Sequence, residues 1–202
     1  MIRLSTCYMP SATYASLVLR GDAVLDIEER FVKQNVRTRC HVLSPNGVLP
    51  LIIPVAHGKL HQSAVKEVRI SYKEPWRQRH FRTIKTAYGR SAFFEHFEDE
   101  LAELYASSFE YLWEFNLATI ALLFRCMDVK MRFPLWDGQS ESDTAAFLAD
   151  LSNPESFPSQ AHYIQVFQDR FPFVSGLSCL DLIMNLGPQS KRYLLDVNLP
   201  SA

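Results

Sequence analysis

The stretch WRQRHFRTIKTAYGRSAFF, Trp76 to Phe94, is where the chain passes from strands to helices. Before it, apolar residues alternate or run in short blocks. From Trp76 onward they recur every three or four residues, the helical period. On a helical wheel Phe81, Ile84 and Tyr88 form one stripe, Arg77 falls on that stripe, and Trp76, His80 and Ala87 flank it. Gln78, Arg79, Arg82, Lys85 and Thr86 occupy the opposite face. An arginine turned toward a core requires a partner or an anionic ligand, because an unpaired buried guanidinium is strongly unfavourable. The alternative is that Arg77 lies in the first turn and snorkels to water.

Upstream, residues 2–7 read as a strand and residues 12–20 as a helix, capped by Ser11 and ended by Gly21. Residues 23–27 read as a second strand, so the opening is strand–helix–strand, the pattern of a parallel pair. Residues 36–43 alternate. Val36, Thr38, Cys40 and Val42 face one way, and Arg37, Arg39, His41 and Leu43 the other. Ser44-Pro45-Asn46-Gly47 supplies a tight turn, and 48–55 returns as an apolar strand. Pro50 and Pro54 cannot donate to a ladder, which puts this strand at an edge or gives it bulges. A polar loop over 56–64 and a fifth strand over 65–71 follow.

Downstream, helices are expected at 77–88, 92–106, 109–127, 143–150, 160–168, 179–186 and 188–195. Residues 129–158, rich in Pro, Ser and Asp, read as a mobile insertion or linker. The fold class is α/β, with α+β as the alternative: an N-terminal mixed sheet and a helical C-terminal half. One domain over 1–202 is expected, sheet-rich to 72 and helical from 73.

The 202 residues, 48 % hydrophobic and 21 % charged, suit an ordinary globular chain with a sizeable core. A net charge of −1 supplies no global field for nucleic acid or anionic membrane. Cys7, Cys40, Cys126 and Cys179 lack metal-ligand or CxxC spacing and read as buried free thiols of a reducing compartment. No signal peptide and no membrane span are expected, which points to the cytoplasm. Phosphate-binding glycine loops, HExxH and GxSxG are absent, so no cofactor is expected. His57 and His61 flank a glycine loop and make a poor metal site, and no metal is expected.

Four groups of residues carry possible chemistry. Arg37 and Arg39 alternate on one strand face about 6.6–6.8 Å apart, close enough to converge on one phosphate or carboxylate; a solvated strand face is the alternative. Ser178 and Asp181 form a capping-box-like start to a helix ending at Gly187-Pro188, with Asp181 and Asn185 on one face. Asp181 either meets an arginine or substrate, or serves only the cap and dipole. His80, beside Arg77, is a candidate base, with a structural histidine as the alternative. Tyr8 follows the first strand, where ligands gather in open α/β sheets.

Tyr8-x-Pro10 with Tyr14, Arg37-Thr-Arg39-Cys40, Pro45-Asn46-Gly47, Pro54-Val55, Trp76-x-x-x-His80, Ala87-Tyr88, Phe93-Phe94 and Phe115-Asn116 occur in order. Leu177-Ser178-x-x-Asp181-Leu-x-x-Asn185-x-Gly187-Pro188 closes the set. With these motifs the chain resembles the WbqC-like proteins of bacteria. Thr6-Cys7 stands where relatives commonly have Gln-Pro. The resemblance implies O-antigen or other surface-polysaccharide biosynthesis and a glycine or aminoacyl transferase role. It assigns no catalytic residues.

The leading expectation is therefore a transferase acting on an activated anionic donor, nucleotide sugar or acyl or aminoacyl. Arg37, Arg39 and Arg77 would bind the donor, with Tyr8, Trp76 and Tyr88 lining the site. His80 would be the base, and Asp181 with Asn185 would orient the acceptor. The alternative is a non-catalytic module that binds an anionic small molecule or a partner in the same pathway. RNA binding through Arg79, Arg82, Lys85 and Arg90 ranks third, since no RNA-binding signature accompanies them. Self-association stays open.

Overall fold

The computed structural model describes residues 2–21, 23–56, 63–130, 135–136 and 161–197. The chain opens with strand β1 (Ile2–Ser5), helix α1 (Ala12–Leu19) and strand β2 (Ala23–Asp26). β1 and β2 pair in parallel, Ile2 opposite Ala23 through Ser5 opposite Asp26. The Ser11 hydroxyl caps α1, accepting from the Tyr14 N–H at 3.4 Å.

The hairpin follows: β3 (Arg39–Ser44) and β4 (Gly47–Ile52) pair antiparallel, with Cys40 opposite Leu51 and His41 opposite Pro50. β3 begins at Arg39, so Arg37 lies in the turn before it, and the expected Arg37–Arg39–His41 row does not form. The Ile53 N–H donates to the Thr38 carbonyl at 2.8 Å. Hydrogen-bonded pairs alternate from there, so the Pro50 nitrogen points away from β3. The proline therefore costs this hairpin nothing and removes one donor from the outer edge of β4. That edge also exposes Val48, Leu49 and Ile52.

Residues 65–71 are not a fifth strand. Val65–Glu67 form a 3-10 turn, and Arg69 and Ile70 make only single bridges, to Tyr111 and Val55. The Glu67 carboxylate accepts from the Ala64 N–H, which bends the chain where a strand would have to stay extended.

Helices α2 (Trp76–Tyr88), α3 (Phe94–Ala106) and α4 (Leu112–Cys126) come next, then α5 (Cys179–Leu186), a 3-10 turn at Gly187–Gln189 and α6 (Ser190–Asp196). The fold class is thus mixed α and β, a parallel pair and an antiparallel hairpin with helices. The expected helix over 160–168 is absent where described, since 161–165 are irregular and 166–170 are turns. The expected helix at 143–150, the pair His57 and His61, and most of 129–158 lie outside the described residues. Among the described residues no helix is long and apolar enough to cross a membrane.

The buried face of α2 is Trp76, His80, Ile84, Ala87 and Tyr88. Arg77 and Phe81 sit at its partly exposed margin, so the stripe is turned by about one residue from the Phe81–Ile84–Tyr88 phase. The aromatic rings of Trp76 and His80 are the cause: both bury against other rings, and counting them as flank tilts the wheel. One apolar cluster runs from Leu4 to Leu194 and draws on every helix and all four strands. All four cysteines are free and buried within it. Burial pushes each thiol above its ordinary range.

Gly187 closes α5 at φ +55°, and a Cβ there would fall 2.4 Å from the Phe93 ring. Gly187→Ala is expected to cost about 2 kcal/mol or more, read as a lower midpoint in chemical denaturation. An unchanged midpoint would show that Phe93 moves aside freely.

Candidate functional site

α2 carries two buried polar groups to two different places. At its first turn, Trp76 is anchored by its indole N–H to the Ser71 carbonyl at 3.0 Å. One turn on, His80 meets Trp76 edge-on at 5.2 Å between centroids and stacks on Tyr8 at 5.8 Å. His80 Nδ1 and the Tyr8 hydroxyl are 2.9 Å apart, and that hydroxyl also bonds the Tyr105 hydroxyl. The result is a closed chain, Tyr105–Tyr8–His80, walled by Phe115. Tyr8 is fully buried, and Met9 beside it holds a left-handed backbone at φ +43°. Such a conformation persists only where packing imposes it.

Burial pushes the His80 pKa down to about 4; Arg79 adds to the drop and the Ile52 backbone opposes it. His80 is therefore neutral near pH 7. Its depressed value suits a buried structural imidazole better than a base working near neutrality.

At the last turn of α2, Tyr88 comes up against Asp181 of α5. Asp181 is fully buried, and its Oδ2 accepts from the Tyr163 hydroxyl at 2.7 Å and the Gln165 amide at 3.1 Å. Burial raises its pKa, opposed by the hydrogen bonds of Tyr163, Gln165 and Tyr88. Burial, then Asp181 and Tyr163, hold the Tyr88 hydroxyl well above its ordinary range. Asp181 Oδ1 and the Tyr88 hydroxyl are both buried without a partner of standard hydrogen-bond geometry among the described residues. Asn185 joins this group through its amide, which donates to the Asp181 backbone carbonyl at 2.7 Å.

Beside Asp181 opens a cleft of about 780 Å³, lined among others by Arg90, His162, Tyr163, Arg170, Asn185 and Tyr193. Its size falls in the range of small-molecule sites. Arg90 follows the end of α2, and no carboxylate partners it among the described residues. Among the described residues Arg170 makes only a long contact of 3.9 Å, to Asp169. His162 stacks on Phe173 at 4.4 Å.

The arginines picked out from sequence are placed apart. Arg37 is buried and forks onto Glu29, with Nε donating to Oε1 at 2.9 Å and Nη2 to Oε2. Its charge is already neutralised. Arg39 is half-buried beside His41 and lowers that imidazole's pKa, after burial. Arg77 neither enters the core nor meets Asp181. It lies over the Tyr72 ring at 4.8 Å and donates to the Ala106 carbonyl at 3.1 Å and the Ser107 carbonyl at 2.6 Å. It thus neutralises the negative end of α3, which carries no basic residue in its last turn. Arg37, Arg39, Arg77 and Asp181 share no partner among the described residues. Tyr8, Trp76 and His80 do come together, as do Tyr88, Asp181 and Asn185. Sequence reasoning missed the 161–174 stretch and Tyr105; a histidine, a tyrosine and a glutamine spaced ahead of Phe173 were the only trace.

The model of the WbqC-like protein family matches residues 6–153. The chain belongs to the WbqC-like protein family. No curated protein and no solved structure matches it. The match to the WbqC-like family takes in the hairpin, α2 and the Tyr8–His80 cluster. Residues 161–174 and Asp181 lie beyond it.

His80 should titrate near pH 4 by NMR rather than near its ordinary 6.5. Its folded pKa is depressed, so its contribution to stability is full above pH 6.5 and is lost as pH falls toward 4. That contribution is at most about 3 kcal/mol. His80→Gln should flatten this part of the stability–pH curve; an unaltered slope would mean that another group carries it.

Proposed function

We propose that the protein is a cytoplasmic transferase acting on an activated anionic donor, acyl, aminoacyl or nucleotide sugar, in bacterial surface-polysaccharide biosynthesis. Its site is the cleft bounded by Arg90, Arg170 and Asn185. One observation carries this reading: two arginines with little or no carboxylate pairing stand on one small-molecule-sized cleft that backs onto a buried carboxylate. Arg90 and Arg170 take the donor's phosphate or carboxylate and stabilise charge that develops on it. Asn185 orients the acceptor. His162 is the base inside the cleft, the role that His80 is too enclosed to fill.

A second reading keeps the same cleft without chemistry, as a module that binds an anionic ligand of the pathway. The stacking of His162 on Phe173 favours it, because a ring held face to face has less freedom to move protons.

Nucleotide sugars, acyl phosphates and aminoacyl adenylate analogues are the probes, with melting temperature and calorimetry as readouts. An anionic donor should raise the melting temperature, and Arg90→Ala with Arg170→Ala should weaken it at least about tenfold, about 1.4 kcal/mol. His162→Gln should keep the affinity and lose turnover. Full turnover in that variant removes the enzyme mechanism; no binding of any anion removes both readings.

A further inference from the structure

The wall of the cleft over residues 161–174 contains neither helix nor strand. A segment without a backbone ladder needs side chains to fix its path. Gln165, 2 % exposed, does this first: its amide nitrogen donates to the Val174 carbonyl at 2.9 Å and its oxygen accepts from the Val174 N–H at 2.9 Å. These two bonds close the segment into a strap. The same amide nitrogen reaches Asp181 Oδ2, and the Tyr163 hydroxyl reaches that same oxygen. From α6, the Tyr193 hydroxyl adds a bond to the Ala161 carbonyl at 2.6 Å.

The geometry points to Asp181 as the positioning residue of the cleft, a single buried carboxylate that pins the strap 161–174 to α5 and so sets where His162, Tyr163 and Arg170 stand. Its consequence for ligand affinity rests on the proposed reading of the cleft; the pin itself does not. Asp181 touches no ligand, being fully buried.

The pin is built from a charge where an amide would serve. The groups facing Asp181 are Tyr163 and Gln165 on the strap and Tyr88 on α2, with Cys179 on its own helix. All are uncharged near neutrality, and among the described residues no arginine, lysine or histidine pairs with the carboxylate. An asparagine oxygen in place of Oδ2 would accept from Tyr163 and Gln165, while its amide nitrogen would face the Tyr88 hydroxyl. Burial raises the carboxyl above its ordinary 3.8, while the strap's own donors, Tyr163 and Gln165, oppose that rise. The pin rests on one buried oxygen and its two donors.

Hydrogen–deuterium exchange of the full chain, corrected for intrinsic rates, tests this between pH 5 and 8. In Asp181→Ala, exchange over 161–174 should rise at least tenfold while α2, α3 and α4 stay protected. In Asp181→Asn, whose amide oxygen can accept the same two bonds, the strap should keep the protection of the unsubstituted chain. Strap exchange within twofold of the unsubstituted chain in Asp181→Ala would overturn the pin. So would a tenfold rise over 161–174 in Asp181→Asn with the helices still protected, which remains decisive even if the alanine variant unfolds throughout. Inorganic pyrophosphate titrated in parallel separates the two claims. If it fails to bind the unsubstituted chain, the reading of the cleft as a phosphate site falls while the exchange result stands.

Discussion

Four residues at four-residue spacing on α2, Trp76, His80, Ile84 and Tyr88, fix how this molecule is assembled. Two of them are polar and buried, and a buried polar group must find a partner. His80 finds Tyr8 between β1 and α1, and Tyr105 of α3 stands behind it. Tyr88 settles against Asp181 of α5 and the Leu43 backbone of β3. The two are eight residues apart, about 12 Å along the axis. The helix is therefore held at both ends by elements distant in sequence. Turning it by one residue, about 100°, would take His80 away from Tyr8 and Tyr88 away from Asp181, and drive Arg77 inward.

The charges follow from the same constraint. Where a cation enters the interior it brings its counter-ion, as Arg37 does with Glu29. Where no counter-ion is available it goes to a helix end, as Arg77 does at the carbonyls closing α3. Asp181 is the exception, a carboxylate held by neutral donors, and it stands next to a cleft of about 780 Å³. Two buried polar clusters on one helix thus differ in character. The one around His80 is closed and silent, and the one around Asp181 borders open space.

Much of this was legible in the sequence because local rules governed it. The Ser11 cap, the hairpin turn at Pro45-Asn46 and the helix from Cys179 to Leu186 each rest on contacts within a few residues. The parallel pair followed from the short strand–helix–strand opening. What failed was phase and reach. A histidine counts as polar on a wheel, yet the rings of Tyr8, Tyr105 and its own helix's Trp76 surround His80, so the stripe was misplaced and Arg77 looked buried. Residues 65–71 alternate like a strand, but Glu67 bonds back to Ala64 and shortens them to a turn. Residues 161–174 have no period of any kind. Their path depends on Gln165, Tyr163 and Asp181 meeting across 16 to 18 positions, which no window of sequence reveals.

The four buried thiols have a use of their own. Cys7 follows β1, Cys40 lies in β3, Cys126 ends α4 and Cys179 begins α5. Each is screened from solvent and kept protonated by burial, so none reacts quickly until its own surroundings open. The molecule carries four native clocks in separate structural elements. The order in which a small alkylating reagent finds them would record which parts of the fold breathe together and which come apart alone.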